Sequence, residues 1–202
     1  DFLLSTEPAR RLYHEYAENM PIFDYHCHLN PREIYENPKF QNIGEAWLAG
    51  DHYKWRVMRW NAVPEAYITG TADYHAKFHA FAKIMPKLIG NPIYHWSHLE
   101  LKRYFQIDEL LDADTAESIW QTANAVLQGE KGDVRTLIKQ SNVKGLCTTD
   151  DPADDLRYHQ LLAQQQGFKV EVLPTFRPEK ALDIANPDFP GYIHRLGITL
   201  GK

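Results

Sequence analysis

The stretch Ile22-Phe23-Asp24-Tyr25-His26-Cys27-His28-Leu29 constrains this chain more than any other. Its β-branched and aromatic residues read as a strand, and Asn30-Pro31 closes it with a loop signal. Side chains alternate faces along a strand, so Asp24, His26 and His28 are expected on one face and Phe23, Tyr25 and Cys27 on the other. Two imidazoles on one face can share a divalent ion. An isolated His-x-His also fits two ordinary half-buried histidines, because short motifs match by chance. Position favours the ion, since α/β barrels carry their chemistry at the C-terminal ends of apolar strands. Asp24, one step deeper on the same face, could orient a ligand from behind.

Before this strand, Ser5 or Thr6 can cap a helix running to about Asn19, with Glu7 in its first turn. Beyond it, residues 31–142 contain no convincing strand. Helical segments are predicted at 43–49, 51–60, 72–85, 92–105, 115–127 and 134–140, each set off by Gly, Pro or Asp. A second strand is expected over 143–149, a helix from Asp154 to about Gln166, and a third strand over 169–177. Pro174 fits only near the end of that third strand. Strand, helices, strand, helix, strand argues for an α/β fold with a parallel sheet. Its expected divisions are 1–30, with the first helix and strand, a helical insertion over 31–142, and 143–202, with the second and third strands and their helices.

Charge removes some partners. The 27 acidic and 22 basic side chains give a net charge of -5, which offers no attraction for nucleic acid or an anionic membrane. Cys27 and Cys147 are the only cysteines, so neither a disulfide framework nor a structural zinc cluster is expected, and a reducing, cytoplasmic setting fits. No signal-peptide pattern opens the chain and no apolar run approaches ~18 residues.

In a parallel α/β sheet the C-terminal strand ends form the active face. The first end presents His26 and His28, the second Thr149, Asp150 and Asp151, the third Phe176 and Arg177. Arg177 can hold a carboxylate by two parallel hydrogen bonds, or merely pair with Glu179 or Asp183 on the surface. Asp150 and Asp151 read best as caps of the following helix, with Pro152 in its first turn. Asp51 reads as the N-cap of the helix holding His52 and Tyr53, where free amides favour an anion. There His52 and Tyr53 could bind a carboxylate and donate a proton, or simply pack. His95 with His98, and His75 with His79, are helix-spaced pairs best read as packing and hydrogen bonding.

Five segments together resemble the uronate isomerase (glucuronate/galacturonate isomerase) family of the amidohydrolase superfamily. They are Phe23–Leu29, Gly50-Asp51-His52-Tyr53-Lys54-Trp55-Arg56, Gly90–Leu101, Thr148–Pro152 and Leu173–Pro178. The likeness runs in order along the chain and fades after about Tyr192. His-x-His alone indicates only the superfamily; Asp-His-Tyr-Lys-Trp-Arg is far more specific. The resemblance implies a distorted (β/α)8 TIM-type barrel with a helical insertion after the first strand. It implies conversion of D-glucuronate to D-fructuronate and D-galacturonate to D-tagaturonate in hexuronate catabolism. His26 and His28 would be ligands of a divalent metal, zinc or manganese. His52 and Tyr53 would be catalytic and substrate-binding groups, and Arg177 a further substrate contact. The expected partner is a small sugar acid, and the expected assembly a homo-oligomer.

A complete barrel takes about 250 residues and eight strands. Three strands and a long insertion correspond to the N-terminal part of such an enzyme, expected to be inactive alone. Two other readings stay open here: a metal-dependent hydrolase on the same barrel, and a non-catalytic helical interaction module.

Overall fold

The computed structural model describes residues 3–201. In chain order it contains α1 (Glu7–Leu12), which runs on into a π-helical turn (Tyr13–Ala17), β1 (Ile22–Asp24) and α2 (Pro31–Glu36). Then come α3 (Ile43–Leu48), α4 (His52–Trp60), α5 (Tyr74–Ile84), α6 (Pro92–Phe105), α7 (Ala116–Gln128) and α8 (Val134–Gln140). The chain closes with β2 (Val143–Asp150), α9 (Arg157–Ala163), β3 (Glu171–Phe176), α10 (Glu179–Leu182) and α11 (Phe189–Thr199). Two compact units result: residues 1–37 with 138–202, and residues 38–137. The division falls a few residues inside the expected 31–142 insertion. The reason is α2, which packs on α9 with Tyr35 and Tyr158 rings 5.8 Å apart.

In the first unit, β1, β2 and β3 form a parallel sheet in that order, as the alternation predicts. Leu146, Thr148 and Asp150 of β2 are buried on one face, in register with buried Val172 of β3. Leu162 of α9 is buried in the same unit, and α9 packs on β3. On the other face Gly145 admits the Phe23 ring, which a Cβ would meet at 2.7 Å.

Three sequence expectations change. The strand of residues 22–29 is shorter, ending at Asp24. The Asp24 carboxylate accepts the His26 amide at 3.3 Å, an Asx turn that takes this amide out of the ladder. Contact with β2 resumes where the Cys27 amide donates to the Cys147 carbonyl at 2.9 Å. Second, Asn30-Pro31 is not just a loop: Asn30 caps α2 and Pro31 occupies its first turn. Third, α9 begins at Arg157 rather than Asp154. Asp151, Asp154 and Asp155 bond nearby amides in successive turns, and Leu156 sits at φ 52, which delays the helix.

The second unit is helical. Asn42, Asp51, Asp73 and Asn91 each accept an amide from the first turn of α3, α4, α5 and α6. Its core is one cluster that includes Trp47, Phe78, Phe81, Leu101, Ile119 and Leu127. Trp47 lies 6.0 Å from both Phe78 and Phe81, ring centre to ring centre. Gly44 lets α3 approach α5: a Cβ there would sit 2.5 Å from the Tyr74 carbonyl oxygen and 3.1 Å from Trp120. Backbone cannot yield as a side-chain tip can. Gly44→Ala is therefore expected to lower stability by about 1–3 kcal/mol through overpacking, despite a helix-propensity gain of up to about 1 kcal/mol. Urea unfolding checks the sign; a raised midpoint would show that the helices do not meet this closely.

Candidate active site at the strand ends

Because the strands are parallel, their C-terminal ends lie at one end of the sheet. β1 leads to His26 and His28, β2 ends at Asp150, and β3 leads to Arg177. The two histidines converge: His26 Nε2 and His28 Nε2 are 3.2 Å apart, with the rings edge to face. Two nitrogens each ~2.0–2.1 Å from one zinc ion would be separated by about this distance, so the pair fits a shared metal. Both side chains are exposed. Asp24 accepts the His26 backbone amide. Between the histidines, burial pushes the Cys27 thiol above its ordinary value, which keeps it uncharged at neutral pH.

Arg177 makes the surface contact that the sequence also allows, with Nε 2.7 Å from Glu179 Oε1. Its amide donates to the Asp150 carbonyl at 3.1 Å, tying the start of the next segment to the end of β2. Asp151 accepts from the Ala153 amide at 2.9 Å and the Tyr192 hydroxyl at 3.0 Å, and Lys180 lies 2.8 Å away. It therefore caps the turn before α9 rather than the helix itself.

A buried polar cluster at the end of β2 was not anticipated from the sequence. Thr148 Oγ1 donates to Asp150 Oδ2 at 2.7 Å and sits 2.7 Å from His159 Nε2 of α9. The Thr175 amide donates to the same Asp150 oxygen at 3.2 Å, and the Thr175 hydroxyl donates to the Thr148 carbonyl. The available signal was alternation: Thr148 and Asp150 share a face with apolar Leu146, and polar groups buried there need partners.

In the helical unit, His52 and Tyr53 occupy the first turn of α4, both exposed, their rings 4.4 Å apart. The rest of the motif anchors this turn. Lys54 is buried, with Nζ 3.0 Å from Asp51 Oδ2, 3.8 Å from Glu100 Oε2 and 5.1 Å from the Trp47 ring centre. Trp55 donates its indole N–H to the Leu48 carbonyl at 2.8 Å. Burial pushes Asp51 up, but the Lys54 ammonium and the Lys54 and Tyr53 amides outweigh it and leave the carboxyl below its ordinary value. Burial raises the neighbouring Glu100. His98 does what the sequence suggests: Nδ1 donates to the Tyr94 carbonyl at 2.7 Å and Nε2 accepts the Leu111 amide at 3.0 Å. Burial lowers its pKa, which keeps it neutral for both roles.

Comparison with known proteins follows the same lines. The model of the family described as glucuronate isomerase matches residues 1–201, so the likeness does not fade after Tyr192. The chain is 56% identical over 202 residues to a uronate isomerase of Caldicellulosiruptor saccharolyticus, covering 100% of this chain and 43% of that protein. A crystal structure of uronate isomerase from Thermotoga maritima superposes with TM-score 0.94 at 37% identity, over 100% of this chain and 44% of its own. A glucuronate isomerase structure from Caulobacter crescentus gives TM-score 0.87 at 25% identity, again over 100% and 44%. The chain thus spans less than half the length of these relatives.

Asp51→Asn tests the anchor, since asparagine keeps the N-cap but loses the charge. A carboxyl whose folded pKa is depressed stabilises above its unfolded pKa, and that contribution is lost as pH falls through the folded value. The variant is expected to be about 1–2 kcal/mol less stable than the parent at pH 7. The gap should close as pH falls below about 4. A gap independent of pH would contradict the Asp51–Lys54 account.

Proposed function

The chain belongs to the glucuronate isomerase family, and on that premise we propose that it supplies the metal-binding and part of the substrate-binding machinery of a uronate isomerase. The reactions are D-glucuronate to D-fructuronate and D-galacturonate to D-tagaturonate. The observation that carries the reading is the convergence of His26 and His28 nitrogens at 3.2 Å, just past the C-terminal end of a parallel strand. Three parallel strands in sequence order support the opening of a (β/α)8 barrel. Among the described residues no helix is long and apolar enough to cross a membrane. Both cysteines are free thiols, which fits a reducing, cytoplasmic setting.

The reaction moves one proton between neighbouring carbons and one between their oxygens: the aldehyde oxygen gains a proton and the neighbouring hydroxyl loses one. A proton leaves the carbon beside the aldehyde, an enediol forms, and a proton returns to the former carbonyl carbon. When bound, a divalent ion such as zinc or manganese on His26 and His28 supplies positive charge beside substrate oxygens that become negative. Arg177 binds the sugar carboxylate. Its exposed pair with Glu179 is worth only about 0–1 kcal/mol, so a bidentate substrate carboxylate can displace it. His52 and Tyr53 contact the sugar acid, with the Tyr53 hydroxyl as a proton donor to oxygen.

In a chain spanning the relatives' full length, Arg177→Met is expected to raise KM for both uronates by at least about tenfold. Steady-state assays check it, and unchanged kinetics would remove Arg177 from the site. The 202-residue chain assayed alone, with added zinc or manganese, is expected to turn over uronates far more slowly than a relative of full length. Rates within about tenfold of that control, a barrier difference of only ~1.4 kcal/mol, would overturn this.

A further inference from the structure

His75 and His79 lie one turn apart on α5, and Glu117 faces them from α7. Both imidazoles point Nε2 at one carboxylate oxygen: His75 at 2.8 Å and His79 at 3.0 Å from Glu117 Oε2. Their ring centres are 4.3 Å apart. One donor atom from each residue falls within 4.8 Å of the others. Histidines at i and i+4 share a helix face, the spacing by which helices present paired imidazoles to zinc.

We propose that His75, His79 and Glu117 form a second divalent-metal site, selective for zinc-like ions, separate from the His26/His28 pair. Two neutral imidazoles and one carboxylate are borderline donors suited to zinc, and three protein ligands leave a fourth position for water. No redox step is involved. On binding, each ring carries its proton on Nδ1 and presents the Nε2 lone pair, and the carboxylate is already ionised.

The surroundings fix the donors. Gln121 Nε2 donates to the other Glu117 oxygen at 2.9 Å, which sets the carboxylate plane. The His75 ring stands edge-on to Trp120 at 5.0 Å, and Phe78 lies edge-on to His79 at 6.3 Å. Trp120 and Phe78 are themselves 5.4 Å apart and belong to the aromatic packing between α5 and α7. A metal here would brace those two helices across the same core they already share. The sequence shows the His-x3-His pair but not Glu117, which is far away in the chain; hence the bland reading of His75 and His79.

The test is zinc chloride titrated calorimetrically into the His26→Ala/His28→Ala chain, followed by the same chain carrying His79→Ala or Glu117→Gln. The side chains are on the surface, and circular dichroism checks that each variant keeps its helices. One equivalent of zinc bound by the parent, weakened by more than about tenfold in both variants, supports the site. Cobalt in place of zinc should give a visible absorption band that His79→Ala abolishes. No zinc bound at concentrations up to about 0.1 mM, or binding unchanged by His79→Ala, overturns the proposal. Should the double substitution at His26 and His28 cost helical structure, the unsubstituted chain decides: His79→Ala must remove one equivalent of zinc, and an unchanged stoichiometry overturns the proposal.

Discussion

Parallel strands cannot be joined by a tight turn. β1 and β2 are hydrogen-bonded neighbours running the same way, so the chain between Asp24 and Val143 has to leave the sheet and return. Here the return includes a helical unit with its own core, residues 38–137. The same parallel geometry gathers the C-terminal ends of all three strands at one end of the sheet, and with them His26, His28, Asp150 and Arg177. Without that pairing the residues would have no common place. The Thr148, Asp150 and His159 cluster secures it by tying the end of β2 to α9, and the Thr175 amide ties β3 to the same carboxylate.

The Asp-His-Tyr-Lys-Trp-Arg segment divides its work. Asp51, Lys54 and Trp55 are spent on holding the first turn of α4 to its own unit, through a cap, a buried ion pair and an indole bond to Leu48. That leaves His52 and Tyr53 exposed on the surface, their rings 4.4 Å apart and tilted by 31°. Burying a lysine is tolerable only with its charge paired, and here two carboxylates and an aromatic face do so. Such an arrangement suits a turn whose polar residues must stay in place.

Much of this was legible in the residues. Helical periodicity with Asn, Asp, Pro and Gly punctuation located α3 to α8 to within a residue or two, and strand propensity located β2 and β3. The features that escaped are those in which a side chain competes with the backbone. Asp24 takes the His26 amide and ends β1 early; Asp151, Asp154, Asp155 and a left-handed Leu156 delay α9; Asn30 turns an apparent loop into a helix start. Periodicity sees none of these, because each depends on one carboxylate or amide finding one N–H. At the site, strand alternation suggested that His26 and His28 would meet. They do so through a turn rather than a pleat. His159 and Glu117 were invisible, since each acquires its meaning from a residue on another element.

The central claim is that the strand ends bind a metal through His26 and His28 and a uronate through Arg177. A crystal structure of a chain spanning the relatives' full length, grown with zinc and glucuronate, tests it most directly. The expected result is one ion bonded to Nε2 of both histidines and the sugar carboxylate on the Arg177 guanidinium. A bound sugar with both imidazoles free of metal, or with Arg177 still on Glu179 and remote from the ligand, would contradict it.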